Sequence, residues 1–174
     1  MKRRVFVGLP ISGKLRQEIS CWESGFDTLA VRWLLPKNLH LTIIPPWYEE
    51  NLENILERIK SVKAKPFEIN LVRVSYGPNK HQPRLVWAQG PVPGGLLRLK
   101  DALENALQKD SLIKDYLLHL TLARFPAKRF SEFKIKTLEE KVSWKEKIDS
   151  FVLYESHLQR GGANYQELWV RRLG

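Results

Sequence analysis

The chain has a single cysteine, Cys21, so no internal disulfide can form and no thiolate cage can hold a metal. That usage fits a reducing compartment, and a cytoplasmic location is the expectation. Long hydrophobic runs are missing as well. The opening MKRRVFVGLPISGK is basic, then apolar for only a few residues before Pro10 and Ser12. This is too short for a signal-peptide core and far too short to span a membrane, so a soluble intracellular protein without a membrane partner is expected. Histidines number only four, and no His-rich or carboxylate-rich motif offers the spaced ligands a metallohydrolase needs. Acidic residues are also scarce: 19 Asp and Glu against 29 Lys and Arg leave a formal charge of +10 over 174 residues. An excess of that size favours polyanions, because each phosphate neutralised releases condensed counterions, and nucleic acid is the abundant candidate. A solvated basic face accounts for the same number. No arginine-rich tail is present, so any binding surface must be made by folding.

What is present is enough for one good-sized domain or two small lobes, with 43% hydrophobic residues. Residues 3–9 read as a strand, and Ser12 is placed to cap a helix whose Leu15, Ile19 and Trp22 recur at helical spacing. Asn38 to Ile44 alternates as a strand that Pro45 and Pro46 are expected to stop. An amphipathic helix is predicted over 49–64, with Leu52, Ile55, Leu56 and Ile59 on one stripe. Residues 67–77 and 84–90 read as a hairpin joined by PNKHQP. A second helix is predicted over 96–110, a strand over 117–125, and a short polar helical region around Thr137 to Lys145. A strand over 148–158, a turn at Gly161 and Gly162, and a last strand over 166–173 close the chain. Strands separated by helices, with antiparallel hairpins and no linker, point to α+β in a single unit over residues 1–174.

Internal similarity is the most informative feature. The tripeptide His-Leu-Thr occurs twice, as His40-Leu41-Thr42 and His119-Leu120-Thr121, each in an alternating strand with apolar neighbours on the opposite face. Leu118, Leu120 and Leu122 face one way, and His119, Thr121 and Ala123 the other. A His and a Thr facing away from a leucine core suit a polar cleft better than a buried layer. A period of about half the chain suggests two similar lobes, whose paired motifs would share one groove if related by a pseudo-twofold axis. Imidazole has an unperturbed pKa near 6.5, so one ring can accept a proton while another donates one. In-line displacement at phosphorus needs that base and acid together. The threonine hydroxyls are placed to hydrogen-bond non-bridging oxygens, and Arg124 to add a charge-assisted contact. By strict alternation Arg124 falls on the leucine face, so it reaches the groove only if the strand ends or bends before Pro126.

These paired motifs, with VRWLLPKNLHLT, PRLVWAQG, LLHLTLARF and LYESHLQRGGANYQELW in that order, resemble the two-histidine phosphoesterases, specifically the LigT-like RNA 2′,3′-cyclic phosphodiesterases once called 2′-5′ RNA ligases. The resemblance covers nearly the whole chain. It implies a bilobal α+β fold, two pseudo-symmetric lobes each with an antiparallel sheet backed by helices, and a groove between them lined by one His-x-Thr from each. It implies no metal or other cofactor, and a monomer acting on RNA ends that carry a 2′,3′-cyclic phosphate, tRNA fragments among them. Such ends would be opened by water to a 2′-phosphate, with His119 activating the water, His40 protonating the departing 3′ oxygen, and Thr42, Thr121 and Arg124 holding the phosphate. The reverse reaction would form a 2′-5′ linkage.

After the first motif the family commonly continues with an apolar residue, a basic one and Phe-Leu-Gly, whereas this chain has IIPPWYEE. Trp47 or Tyr48 is then the candidate base-stacking platform, and Tyr165, following the glycine turn, a second groove residue. Trp33, Trp87 and Trp169 read as core, His81 as a solvated turn residue and His157 as structural. Two alternatives stay open: the same chemistry on small cyclic phosphates or 2′-5′ oligonucleotides, and an RNA-binding module without turnover.

Overall fold

The computed structural model describes residues 2–109, 115–159 and 162–174. The element order is β1 (Arg3–Pro10), α1 (Gly13–Glu23), β2 (Arg32–Trp33), β3 (His40–Glu49), α2 (Leu52–Lys60), β4 (Phe67–Gly77), β5 (Leu85–Gly90), α3 (Gly94–Leu107), β6 (Leu118–Arg124), β7 (Glu139–Ile148), β8 (Ser150–Gln159) and β9 (Gly162–Arg172). The strands make two antiparallel sheets, ordered β3-β1-β8-β9 and β2-β6-β5-β4-β7. Setting aside β2, which is added outside β6, the two orders correspond position by position, and each begins with a His-Leu-Thr strand. The fold is the expected α+β arrangement of two like lobes.

One buried cluster runs through both sheets, from Val5, Leu9 and Leu41 to Leu71, Val86 and Leu120, and collects the inward stripes of all three helices. Burial of each such aliphatic side chain contributes about 1.5–3 kcal/mol, so the lobes are welded by a shared core. Helix α1 starts where expected: the Ser12 hydroxyl accepts from the Leu15 amide, and the buried Glu146 carboxylate accepts from the Ser12 amide and hydroxyl. Helix α3 packs on β3 and β4, one strand of each sheet, which sets the lobes against each other. No helix among the described residues is long and apolar enough to cross a membrane.

Two predicted elements are corrected. Residues 139–148 are a strand, not a helix: Trp144, Glu146 and Ile148 are buried while Lys145 and Lys147 are exposed, a period of two that the charged side chains obscure. And β3 does not stop at Pro45 and Pro46. Between the pairs Val5↔Trp47 and Val7↔Ile44, β3 has two residues, Pro45 and Pro46, where β1 has one, Phe6. The prolines fall in that irregularity on an edge strand, where a missing amide breaks no further ladder. The predicted helix over 49–64 is trimmed to Leu52–Lys60; its Asn51 side chain accepts from the Asn54 amide as a cap. Of the predicted glycine turn, Gly161 lies outside the described residues.

Candidate active site

Each His-Leu-Thr strand carries the same local defect. In β3, Val7↔Ile44 is followed by Gly8↔Thr42, leaving Ile43 as an extra residue. In β6, Val86↔Ala123 is followed by Trp87↔Thr121, leaving Leu122 as the extra one. A bulge of this kind shifts the alternation by one residue. It resolves the orientation of Arg124, which returns to the face of His119 and Thr121 while Leu122 and Ala123 are both buried.

The result is a cavity of about 220 Å³ lined by His40, Thr42, His119, Thr121, Arg124, Leu34 and Leu85. Five residues picked from the sequence, two from β3 and three from β6, thus surround one space. Both histidines are oriented alike, by the carbonyl two residues upstream. His40 Nδ1 lies 2.7 Å from the Asn38 carbonyl, and His119 Nδ1 lies 3.0 Å from that of Leu117. A carbonyl only accepts, so each ring holds its hydrogen on Nδ1 and turns Nε2 to the reaction side. His40 Nε2 lies 3.2 Å from Thr42 Oγ1, whose hydroxyl can donate to it.

The surroundings of the two rings differ. His40 sits in an aromatic box, 4.8 Å from Phe6, 5.7 Å from Tyr154 and 4.9 Å edge-on from Tyr165 between ring centroids. Gly8 lies beneath it: a β-carbon there would stand 3.3 Å from the imidazole and 3.1 Å from the Tyr154 ring. Among the described residues His119 has one aromatic neighbour, Trp87, at 5.0 Å, so this tryptophan is both core and wall. Burial lowers the His40 pKa to about 4, the Asn38 carbonyl working against it and the charges of Arg124 and His119 adding to it. Burial also lowers that of His119, opposed by the Leu117 carbonyl and aided by Arg124. Both imidazoles are therefore neutral at neutral pH, and an entering anion favours protonation of one.

Tyr165 is brought to the site through its edge contact with His40, outside the first cavity and within a second of about 350 Å³ that shares Leu34 and Arg124 with it. Trp47 lines neither cavity: its indole donates to Glu49 at 3.2 Å and lies beneath the Lys109 ammonium at 4.3 Å. Tyr48 is exposed. His157, exposed, faces Glu155 at 3.4 Å. Sequence reasoning missed Tyr116, whose buried hydroxyl donates to the Thr42 carbonyl at 2.8 Å, tying the approach to β6 to the strand of the other lobe. It sits three residues before His119, but nothing in sequence says that its hydroxyl reaches 74 residues back.

Two lobes thus present matched His/Thr pairs to one cavity, with an arginine beside them. The model of the 2′-5′ RNA ligase superfamily matches residues 13–160, and the chain belongs to that family. It is 30% identical over 173 residues to an RNA 2′,3′-cyclic phosphodiesterase of Archaeoglobus fulgidus, covering 96% of this chain and 98% of the relative. A protein of the same name from Aeropyrum pernix is 30% identical over 143 residues, covering 76% and 81%. These relatives mark the chain as an enzyme of the phosphodiesterase class. In fold it is similar to E. coli LigT, with a TM-score of 0.78 over 99% of both chains at 24% identity.

Proposed function

We propose that the enzyme opens RNA 2′,3′-cyclic phosphates to 2′-phosphates with water, using two histidines and no metal. The observation that carries this is the pair of imidazoles, each held by a backbone carbonyl, facing one cavity with Thr42, Thr121 and Arg124. The cyclic phosphate occupies that cavity. Its non-bridging oxygens accept from the threonine hydroxyls and the Arg124 guanidinium, which hold negative charge as it builds in the transition state. Following the family resemblance, His119 Nε2 takes a proton from the attacking water as oxygen bonds to phosphorus. The bond from phosphorus to O3′ breaks on the opposite side, and His40 gives O3′ a proton. For His40 to carry that proton, the substrate anion must offset the burial and the Arg124 charge that oppose it. With a 5′-hydroxyl in place of water as the nucleophile, the same geometry joins ends in a 2′-5′ linkage: the 5′ oxygen bonds to phosphorus as His119 takes its proton, the bond from phosphorus to O3′ breaks, and His40 gives O3′ a proton.

The test is incubation with a short RNA ending in a 2′,3′-cyclic phosphate, in excess EDTA, beside His40→Ala and His119→Ala. Conversion to a 2′-phosphate by the wild type alone supports the reading. Tight binding without turnover would make it an RNA-binding module, and turnover confined to small cyclic esters would move the substrate class. A substrate whose leaving 3′ oxygen is replaced by sulfur needs no acid. It should restore His40→Ala but not His119→Ala; the reverse pattern would exchange the two roles.

A further inference from the structure

Among the described residues, strand β2 is the one part of the sheets without a counterpart in the other lobe, and it carries Arg32 directly opposite Arg124 of β6. Like charges at opposed positions repel, and no carboxylate ion pair relieves either arginine among the described residues. Both line the second cavity of about 350 Å³, together with Lys37, Trp33, Asn164 and Tyr165, and no described acidic residue lines it. Room for the Arg32 guanidinium comes from Gly162. A β-carbon there would stand 3.3 Å from its Cζ, and the φ of +123° is one that other residues rarely adopt. Three cations, a stacking aromatic and a glycine cleared for one guanidinium thus adjoin the cavity that holds the histidines, with Arg124 common to both.

We infer that this second cavity is a subsite for the phosphodiester on the 5′ side of the terminal nucleotide, with Arg32 and Lys37 as its principal contacts, so that the enzyme selects oligonucleotide ends over mononucleotides. This rests on the function proposed above. Arg124, standing between the cavities, bridges the two phosphates. The repulsion between Arg32 and Arg124 in the empty protein is relieved when the second anion enters, which makes the preference electrostatic and sensitive to salt. Tyr165 and Trp33 offer faces to the bases flanking that linkage.

The experiment compares kcat/KM for a nucleoside 2′,3′-cyclic phosphate, for a dinucleotide ending in the same group, and for that dinucleotide with its linkage made a neutral methylphosphonate. Each is run with wild type, Arg32→Gln and Arg32→Lys. The dinucleotide should exceed the mononucleotide by about tenfold or more, the scale of one charged hydrogen bond. The methylphosphonate should lose most of that gain, as should Arg32→Gln on the natural dinucleotide, with partial recovery in Arg32→Lys. The two losses should not add, since they remove the same contact. Equal turnover of all three substrates by wild type, or an Arg32→Gln loss as large on the methylphosphonate as on the phosphodiester, would overturn the subsite. If none of the three is turned over, the proposed function itself fails, a separate result.

Discussion

The two His-Leu-Thr strands match in backbone and differ in surroundings. In both, the extra residue follows the threonine, and the histidine Nδ1 faces the carbonyl two positions upstream. Three residues beyond the threonine, however, β3 has Pro45 where β6 has Arg124. Around the ring, β3 has Phe6, Tyr154 and Tyr165 where β6 has Trp87. Repeating a strand reproduces geometry, which suits the proposed pair of proton-transfer groups facing one phosphorus. Giving those groups different chemistry takes different neighbours, and here the difference is two more aromatic walls around His40, since the Arg124 charge reaches both rings.

Removing either ring tests this most severely. His40→Ala and His119→Ala should each lower kcat by about 10²-fold or more, with the thermal transition little changed. A variant retaining a tenth of wild-type rate would take that ring out of the chemistry. Next in size is Arg124→Gln, expected to cost about tenfold or more in kcat/KM. Because its charge disfavours both imidazolium forms, its loss should also move both limbs of the pH profile upward. An unmoved profile would deny that Arg124 acts on the rings.

The pH dependence of the wild type follows from the same shifts. Both histidines titrate below their ordinary value in the free enzyme, so kcat/KM should peak on the acid side of pH 6.5, with kcat peaking higher because bound anion favours the imidazolium. Coinciding optima above pH 7 would contradict this. Stability carries the sign separately. His40 binds its proton near pH 4 when folded and near 6.5 when unfolded. Above pH 6.5 this costs nothing; as pH falls from 6.5 to 4 the unfolded chain gains the proton first and stability drops by on the order of 3 kcal/mol. Denaturation across that window should flatten in His40→Gln. The smallest effect is expected at Trp47→Ala, which should leave kcat within about twofold, since the ring lines neither cavity; a large fall in kcat would restore it to the groove.

The repeated tripeptide, the apolar stripes and the turn residues were enough to read the α+β class and the shared His/Thr groove, because periodicity and identity are written residue by residue. The side of β6 on which Arg124 lies was not, because a bulge is a property of two paired strands and appears only once the pairing with β5 passes over Leu122. The same holds for β3 running through Pro45 and Pro46, which depends on its being an edge. The stretch around Thr137 to Lys145 reads as helical because Lys and Glu dominate its composition, while the alternation that makes 139–148 a strand rests on Trp144, Glu146 and Ile148 alone. Nothing in the sequence singles out Arg32; its place opposite Arg124 comes from the pairing of β2 with β6.

The Tyr116 hydroxyl on the Thr42 carbonyl bears on how freely the groove breathes. Burial keeps that phenol protonated, so the strut holds at any pH the enzyme works in. Hinge opening between the lobes must break it, and the width of the gap is therefore set before substrate arrives. For the base and acid proposed above, the ordering entropy of bringing them into opposition is then met during folding rather than drawn from each binding event.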